Sequence, residues 1–96
     1  MSGFVLSPRA QIDLDDIWNY TATKWDDQQA ERYIRDIWHA IRMLAVDPRN
    51  GRACDDIRAG YRKYSVGSHV RFFRQVDAGL DIVRILHNRM DFERHL

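Results

Sequence analysis

The sequence predicts a single α+β domain of two layers, in which a helical hairpin packs on one face of an antiparallel sheet. Apolar residues in the first half recur with the 3.6-residue period of an amphipathic helix. Those of the last third recur with a period near two residues, between tight-turn residues. The predicted order is β-α-α-β-β-β. The 96 residues are enough for one domain, and an apolar content of 45% is ordinary for a globular fold, so we expect one domain over residues 1–96.

The first predicted elements are a strand and a helix. Phe4-Val5-Leu6 is a short apolar run that predicts a strand. Ser7 and Pro8 are the N-cap and first-residue types of a helix. The apolar positions of this helix are Ala10, Leu14, Ile17, Trp18, Thr21 and Trp25.

A second helix is predicted after Asp26 and Asp27, and it ends before Pro48 because the residue before a proline disfavours the helical conformation. Its apolar positions are Ala30, Tyr33, Ile34, Ile37, Trp38, Ile41, Leu44 and Ala45. Two such helices with a short connection form a hairpin. We expect Trp18, Ile37 and Trp38 to be mostly buried between the helices and the sheet.

Three strands are predicted after the Asn50-Gly51 loop: Arg62–Val66, His69–Val76 and Leu80–His87. Gly67-Ser68 and Asp77-Ala78-Gly79 are the predicted turns. In strict alternation, Ile82, Arg84 and Leu86 would share one face of the last strand, and Val83, Ile85 and His87 the other. Because helices cover only one side, we expect an open, arginine-bearing face that serves as a docking surface.

Charge and composition exclude several classes of function. The net charge is +1, but residues 1–48 carry −3 and residues 49–96 carry +4, and thirteen of the fifteen cations are arginine. Arginine favours bidentate pairing with carboxylates or phosphates. No metal-ligand spacing, phosphate loop or nucleophile motif is present, and Cys54 lies beside two aspartates that disfavour its thiolate. We therefore expect no catalytic residue, metal or cofactor, and a cytoplasmic protein that does not enter membranes.

The chain resembles the ParE toxins of bacterial type II toxin–antitoxin pairs from about Leu6 to Leu96. The resemblance is strongest in the C-terminal third. Its motifs there are Gly60-Tyr61-Arg62, Gly67-Ser68-His69, Arg84-Ile85-Leu86-His87 and Arg89-Met90-Asp91. Leu6-Ser7-Pro8, followed by Asp13-Leu14, Ile17-Trp18 and Tyr20-Thr21, carries it in the N-terminal half.

This resemblance implies a toxin that binds DNA gyrase and blocks replication without chemistry of its own. It also implies a ParD-like ribbon-helix-helix antitoxin, whose acidic segment neutralises the toxin in a hetero-oligomer and through which any DNA contact would run. We expect the antitoxin's carboxylates to bind Arg62, Arg71, Arg74 and Arg84. We expect gyrase to contact His87, Arg89, Met90, Asp91 and Phe92.

Two alternatives stay open at this point. RelE-type ribonucleases share the expected fold and cut messenger RNA with basic residues on the same sheet. Arg62, Arg71 and Arg89 can be laid on such positions, although a register slip of one residue would replace Arg71 with Val70. The lysine pair and C-terminal tyrosine of that branch are missing, and His95 stands near the tyrosine's place. The other alternative is a non-toxic relic that serves only as antitoxin partner and co-repressor.

Overall fold

Two helices pack on a five-stranded sheet in the computed structural model, which describes residues 3–77 and 79–96 and all of their side chains except that of Glu93. The elements are β1 (Phe4–Leu6), α1 (Pro8–Lys24), α2 (Asp27–Val46), β2 (Arg52–Ala53), β3 (Arg62–Val66), β4 (His69–Val76), β5 (Gly79–His87) and α3 (Phe92–His95). A 3₁₀ turn at Pro48–Asn50 connects α2 to β2. The α+β class and the order of the predicted elements are confirmed. Ala78, in the second predicted turn, lies outside the described residues.

The sheet is mixed rather than purely antiparallel. Its strand order is β1-β5-β4-β3-β2, and β1 pairs in parallel with β5, Phe4 opposite Leu80. The expectation of an antiparallel sheet is therefore wrong for β1 and holds for the β3-β4-β5 meander. The short strand β2 was not predicted. It pairs antiparallel with Arg62 and Lys63 of β3 and so adds a fifth strand next to β3.

A bulge in β5 changes which residues face the helices. Phe72 pairs with Arg84 but Phe73 pairs with Ile82, so Val83 is an extra residue on β5. Ile82 and Ile85 consequently both join the core beneath the helices. The strict alternation expected for this strand is wrong at Val83. On β4, Phe73 packs beneath the helices, and Val70 and Phe72 pack on the opposite side.

Caps fix the ends of the helical hairpin. The Ser7 hydroxyl accepts a hydrogen bond from the Ala10 N–H (3.0 Å), and the Asp26 carboxylate accepts one from the Gln29 N–H (2.6 Å). Each side chain thereby satisfies a backbone donor that has no partner inside its helix. The predicted cap and first residue of α1 are confirmed, and α2 ends before Pro48 as expected.

The main core lies between the helical hairpin and the sheet. Its fully buried centre includes Ile37, Ile41 and Phe73, and Trp38 packs half-buried against Phe4. Trp18 is 36% exposed, so the expectation that it is mostly buried is wrong. Asp13 of the same helix is buried.

A second, smaller core covers part of the opposite face of the sheet. Val70, Phe72, Leu86 and Cys54 form it. The segment after β2 and the C-terminal tail pack onto them, with the ring of Phe92 4.8 Å from that of Phe72. The expectation that this face is open is therefore wrong where these segments cover it.

The core assignment predicts unequal effects for two helical isoleucines. Ile37→Ala should lower the free energy of unfolding by about 2–5 kcal/mol, because Ile37 is completely buried and truncation leaves a cavity. Ile12→Ala, the matched control on α1, should cost less than about 1 kcal/mol, since Ile12 is 45% exposed. Urea denaturation of both variants measures the difference, and equal losses would contradict the assignment.

Candidate interaction site

A groove of about 640 Å³ lies between α1, the start of α2 and the C-terminal end of β5. Ile17, Tyr33 and Leu86 are among its walls, and Tyr20 of α1 and Trp25, the residue after α1, stand at its rim. His87 and Met90 contribute to it from the end of β5 and the segment that follows. The groove therefore brings the exit of the last strand next to the helical hairpin.

A buried ion pair forms one side of this groove. The Asp13 carboxylate accepts hydrogen bonds from Arg84 Nε (2.8 Å) and Arg84 Nη2 (3.0 Å). It also accepts one from the Ile85 backbone N–H (3.0 Å), which lies on the part of β5 that β1 does not pair with. Both charged side chains are about nine-tenths buried, so this pair is strongly coupled.

Arg84 also binds the C-terminal tail. Its Nη1 donates to the backbone carbonyl of His95 at 3.0 Å. The hydrogen bond to Asp13 raises the pKa of Arg84 further above its ordinary value, so the guanidinium is charged at every physiological pH. One arginine therefore connects α1, β5 and α3.

Tyr33 forms another wall and holds the β3–β4 turn. Its hydroxyl donates to the Val66 carbonyl (3.1 Å) and accepts from the Ser68 N–H (3.2 Å). The His69 Nδ1 atom lies 2.6 Å from the same hydroxyl oxygen. Gly67 allows this contact, because a Cβ there would lie 2.7 Å from the Tyr33 ring and the residue has a φ of 56°.

The ring of His69 belongs to the same network. The direction of its 2.6 Å hydrogen bond with the Tyr33 hydroxyl depends on the imidazole tautomer. Burial and the neighbouring His87, whose ring centroid is 5.4 Å away, lower the pKa of His69 to about 4, against a weaker opposite effect of Asp13. The imidazole is therefore neutral at pH 7.

The rim at the end of α1 combines aromatic and cationic groups. Tyr20 and Trp25 are 63% and 68% exposed. The Lys24 ammonium lies 5.6 Å and 5.9 Å from their ring centroids, within the range of a cation–π contact. Exposed aromatic residues next to a groove are typical of protein-binding surfaces. The apolar repeat predicted for α1 includes Trp25, but this residue follows the helix and is exposed, so the prediction is wrong there.

The four arginines predicted to bind an antitoxin do not share one open surface. Arg74 is exposed and pairs with Asp81 at 3.0 Å, and Arg62 is half-buried and donates to the Gly51 carbonyl at 3.0 Å. Arg84 is occupied by Asp13, and Arg71 is 1% exposed. The expectation of an exposed arginine face is therefore wrong for Arg71 and Arg84. Whether any of the four binds a partner stays a prediction.

Arg71 differs from every other buried polar side chain of the described residues. Its Nε and Nη1 atoms are buried and have no hydrogen-bond partner within that part of the chain. The guanidinium lies 5.6 Å from the ring centroid of Tyr64 on β3. Burial lowers the pKa of Arg71 to about 10, so it still carries its charge at pH 7.

The five residues predicted to contact gyrase divide into two groups. Arg89, Met90 and Asp91 are exposed, and His87 is half-buried beside them, with its Nδ1 accepting from the Arg89 N–H at 3.2 Å. Phe92 instead packs its ring on Phe72. Four of the five therefore form a continuous accessible segment, here called the exit patch (His87, Arg89, Met90 and Asp91). Their contact with a target is not tested by the structure.

Three further features of the described residues concern metal ligands, the Cys54 thiol and membrane-spanning helices. They contain no group of three histidine, cysteine or acidic side chains placed to hold a metal. Burial raises the pKa of the Cys54 thiol, which opposes formation of a nucleophilic thiolate. Within the same part of the chain, no helix is both long enough and apolar enough to cross a bilayer.

The sequence pattern did not predict the roles of Asp13 in the buried ion pair and of Tyr33 in holding the β3–β4 turn. A signal existed for Asp13, since it lies three residues after Ala10 and four before Ile17, on the buried stripe of α1. Its position beside Asp15 and Asp16 made a favourable helix-dipole interaction the simpler interpretation. Tyr33 was recognised as apolar packing, but nothing in the sequence showed that its hydroxyl would cap a distant turn.

Fold and groove together define a small α+β domain with a surface groove and a buried ion pair. Comparisons identify its family. Residues 4–92 match the family described as ParE toxin of type II toxin-antitoxin system, parDE. The chain belongs to this family.

Relatives and a solved structure agree with this assignment. The chain is 52% identical to Toxin ParE1 of Mycobacterium tuberculosis, over 99% of this chain and 98% of that protein. It is 43% identical to Toxin ParE1 of Caulobacter vibrioides, over 100% and 99% of the two chains. A structure described as the chromosomal ParDE TA system from P. aeruginosa superposes with a TM-score of 0.79, covering 91% of this chain and 96% of that one. At 20% identity, that likeness supports the fold.

The depressed pKa of His69 predicts a loss of stability in mild acid. Between pH 6.5 and about 4 the unfolded chain binds a proton at this imidazole and the folded chain does not. The free energy of unfolding should therefore fall as the pH decreases through this window. Urea denaturation at a series of pH values measures it. His69→Gln removes this titration, so an identical pH slope in the variant and the wild type would contradict the prediction.

Proposed function

We propose that this chain is an active toxin that inhibits DNA gyrase by binding it through the exit patch, and that a ParD-like antitoxin neutralises it. The observation that carries the proposal is the exit patch itself, on a chain that belongs to the ParE toxin family. The patch combines a cation, an anion, an imidazole and the 37% exposed side chain of Met90 beside a groove. Such a mixture of apolar and charged groups suits a protein-binding hot spot.

Rigid support favours the exit patch, rather than the rest of the C-terminal tail, as the surface that binds gyrase. His87 lies against His69, which Tyr33 holds, and the Met90 N–H donates to the His87 carbonyl at 3.0 Å. Arg84 holds the tail just beyond the patch through the carbonyl of His95. A patch held on both sides loses little conformational entropy when it binds.

The neutralising partner is proposed to be acidic. The C-terminal half carries a charge of +4, and four of its cations lie on or beside β2 and β3: Arg52, Arg58, Arg62 and Lys63. An antitoxin segment that is disordered until bound would supply carboxylates to them. The name of the P. aeruginosa neighbour, a ParDE system, is consistent with such a pair.

The ribonuclease alternative is less well supported by the geometry. Its chemistry requires several cations that reach a scissile phosphate. Of the three arginines that could take this part, Arg71 is buried, Arg62 is half-buried against Gly51, and Arg89 alone is exposed. We therefore assign no catalytic step to this chain.

The proposal is tested with purified protein in two assays. The toxin should inhibit supercoiling by gyrase or trap cleaved DNA, and it should leave messenger RNA intact in translating ribosomes. Arg89→Ala should weaken gyrase inhibition by about tenfold or more, because it removes a preorganised charged contact. Arg35→Ala is the matched control, since Arg35 is an exposed arginine on α2 that pairs only with Glu31 four residues earlier.

Three outcomes would contradict this function. Codon-specific cuts in ribosome-bound messenger would favour the ribonuclease branch. Equal losses in Arg89→Ala and Arg35→Ala would remove the exit patch from the target interface. A folded chain that inhibits neither gyrase nor translation would be the non-toxic relic.

A further inference from the structure

Arg71 is a buried charge without a charged partner among the described residues, whose other buried polar side chains are paired. The other buried arginine, Arg84, has a carboxylate and a backbone carbonyl as partners. Arg71 has two buried nitrogens with no acceptor and no carboxylate within salt-bridge distance among the described residues. A buried cation without an anion destabilises the chain that contains it.

The position of Arg71 shows from which side an anion could reach it. Its guanidinium lies over Tyr64, its cross-strand neighbour on β3. Tyr33 also interacts with Arg71, and it is fixed by its hydrogen bonds to Val66, Ser68 and His69. Among the described residues, the Tyr64 side chain is held by packing and by this cation–π contact, without a hydrogen bond. A change of the Tyr64 rotamer is therefore an easier way to uncover Arg71 than a movement of Tyr33.

The edge of the sheet next to Tyr64 is also incomplete. Strand β2 pairs with Arg62 and Lys63 and does not extend to Ser65. Along an antiparallel strand, the backbone N–H and carbonyl groups of successive residues point to opposite sides. Those of Tyr64 point toward β4, so those of Ser65 point away from β4, toward the uncovered edge of the sheet. An extended segment could therefore lie along β3 beside Arg52, Arg62 and Lys63, all of them cationic.

We infer that Arg71 is the buried receptor for one carboxylate of the antitoxin, which enters past Tyr64 from the open edge of β3. This inference rests on the proposed partner and specifies how that partner is held. The cationic edge selects an acidic segment, and the unpaired guanidinium selects a carboxylate that can make two parallel hydrogen bonds. The free toxin carries the cost of the unpaired charge, and the complex removes it.

This arrangement predicts that one substitution has opposite effects on the two states. Arg71→Met keeps an unbranched side chain of similar length and removes the charge. The free chain should unfold at a temperature higher by about 4 °C or more, because the buried charge is gone. Affinity for the antitoxin should fall by about 30-fold or more, because the partner's carboxylate is left without its cation.

The experiment uses the full chain and, as the probe, the product of the adjoining reading frame, provided that this frame encodes a ribbon-helix-helix protein. Thermal unfolding of the free toxin and titration calorimetry of the complex give the two readouts. Arg74→Met is the matched control: Arg74 lies on the same strand but is exposed and paired with Asp81. It should not raise the unfolding temperature. Any effect of Arg74→Met on affinity should shrink with added salt, whereas the effect of Arg71→Met should persist because a buried pair is poorly screened.

Each other outcome overturns the inference in a distinct way. A lower unfolding temperature for Arg71→Met would mean that Arg71 stabilises the core through Tyr64, and unchanged affinity would mean that no carboxylate binds it. Wild-type toxin that binds a single-stranded DNA oligonucleotide, with binding lost in Arg71→Met, would identify the anion as phosphate. If the adjoining protein does not bind the wild type, the proposed antitoxin partnership fails, and this inference fails with it.

Discussion

The buried pair between Asp13 and Arg84 is the interaction on which the rest of the structure depends. Strand β1 ends at Leu6, so the remaining length of β5 needs another partner on that side. Helix α1 supplies it: the Ser7 hydroxyl donates to the Val83 carbonyl at 2.7 Å, and Asp13 accepts from the Ile85 N–H. Arg84 then neutralises the carboxylate and holds the tail. The pair therefore fixes α1 against β5 where the groove begins.

The groove and the exit patch follow from this attachment. With α1 anchored to β5, the rim residues Tyr20 and Trp25 stand near the exit of that strand. The Tyr33 network independently fixes the β3–β4 turn against α2, and with it the ring of His69 beside His87. The Asp13–Arg84 pair and the Tyr33 network thus position a site whose residues come from both halves of the sequence.

The two buried arginines illustrate opposite solutions to the same physical problem. Arg84 has its anion within the chain, and the cost of removing both groups from water is offset by three hydrogen bonds to Asp13 and the backbone. Arg71 has an aromatic ring and no anion among the described residues. Domains of this size have a small margin of stability. The inferred carboxylate of the antitoxin would supply the anion that Arg71 lacks among the described residues.

Sequence reasoning predicted the elements and much of the core because these depend on local patterns. The Ser7-Pro8 start of α1 and the strand bounds of the meander are examples, since capping and turn chemistry act over a few residues. The parallel pairing of β1 and the bulge at Val83 depend on long-range packing, which no short pattern specifies. For the same reason, the exposure of Trp18 and the burial of Asp13 could not be predicted: the apolar character of Trp18 suggested an inside position, and the partner that makes burial of Asp13 possible is 71 residues away.

A double-mutant cycle on the buried pair tests the central claim most directly. Free energies of unfolding are measured by urea denaturation for Asp13→Asn, Arg84→Met and the double variant. Each single substitution should cost about 3–5 kcal/mol, because it leaves the other group buried and without its charged partner. The double variant should cost at least about 2 kcal/mol less than the two single costs combined. Single costs below about 1 kcal/mol that simply add would contradict the claim that this pair anchors the fold.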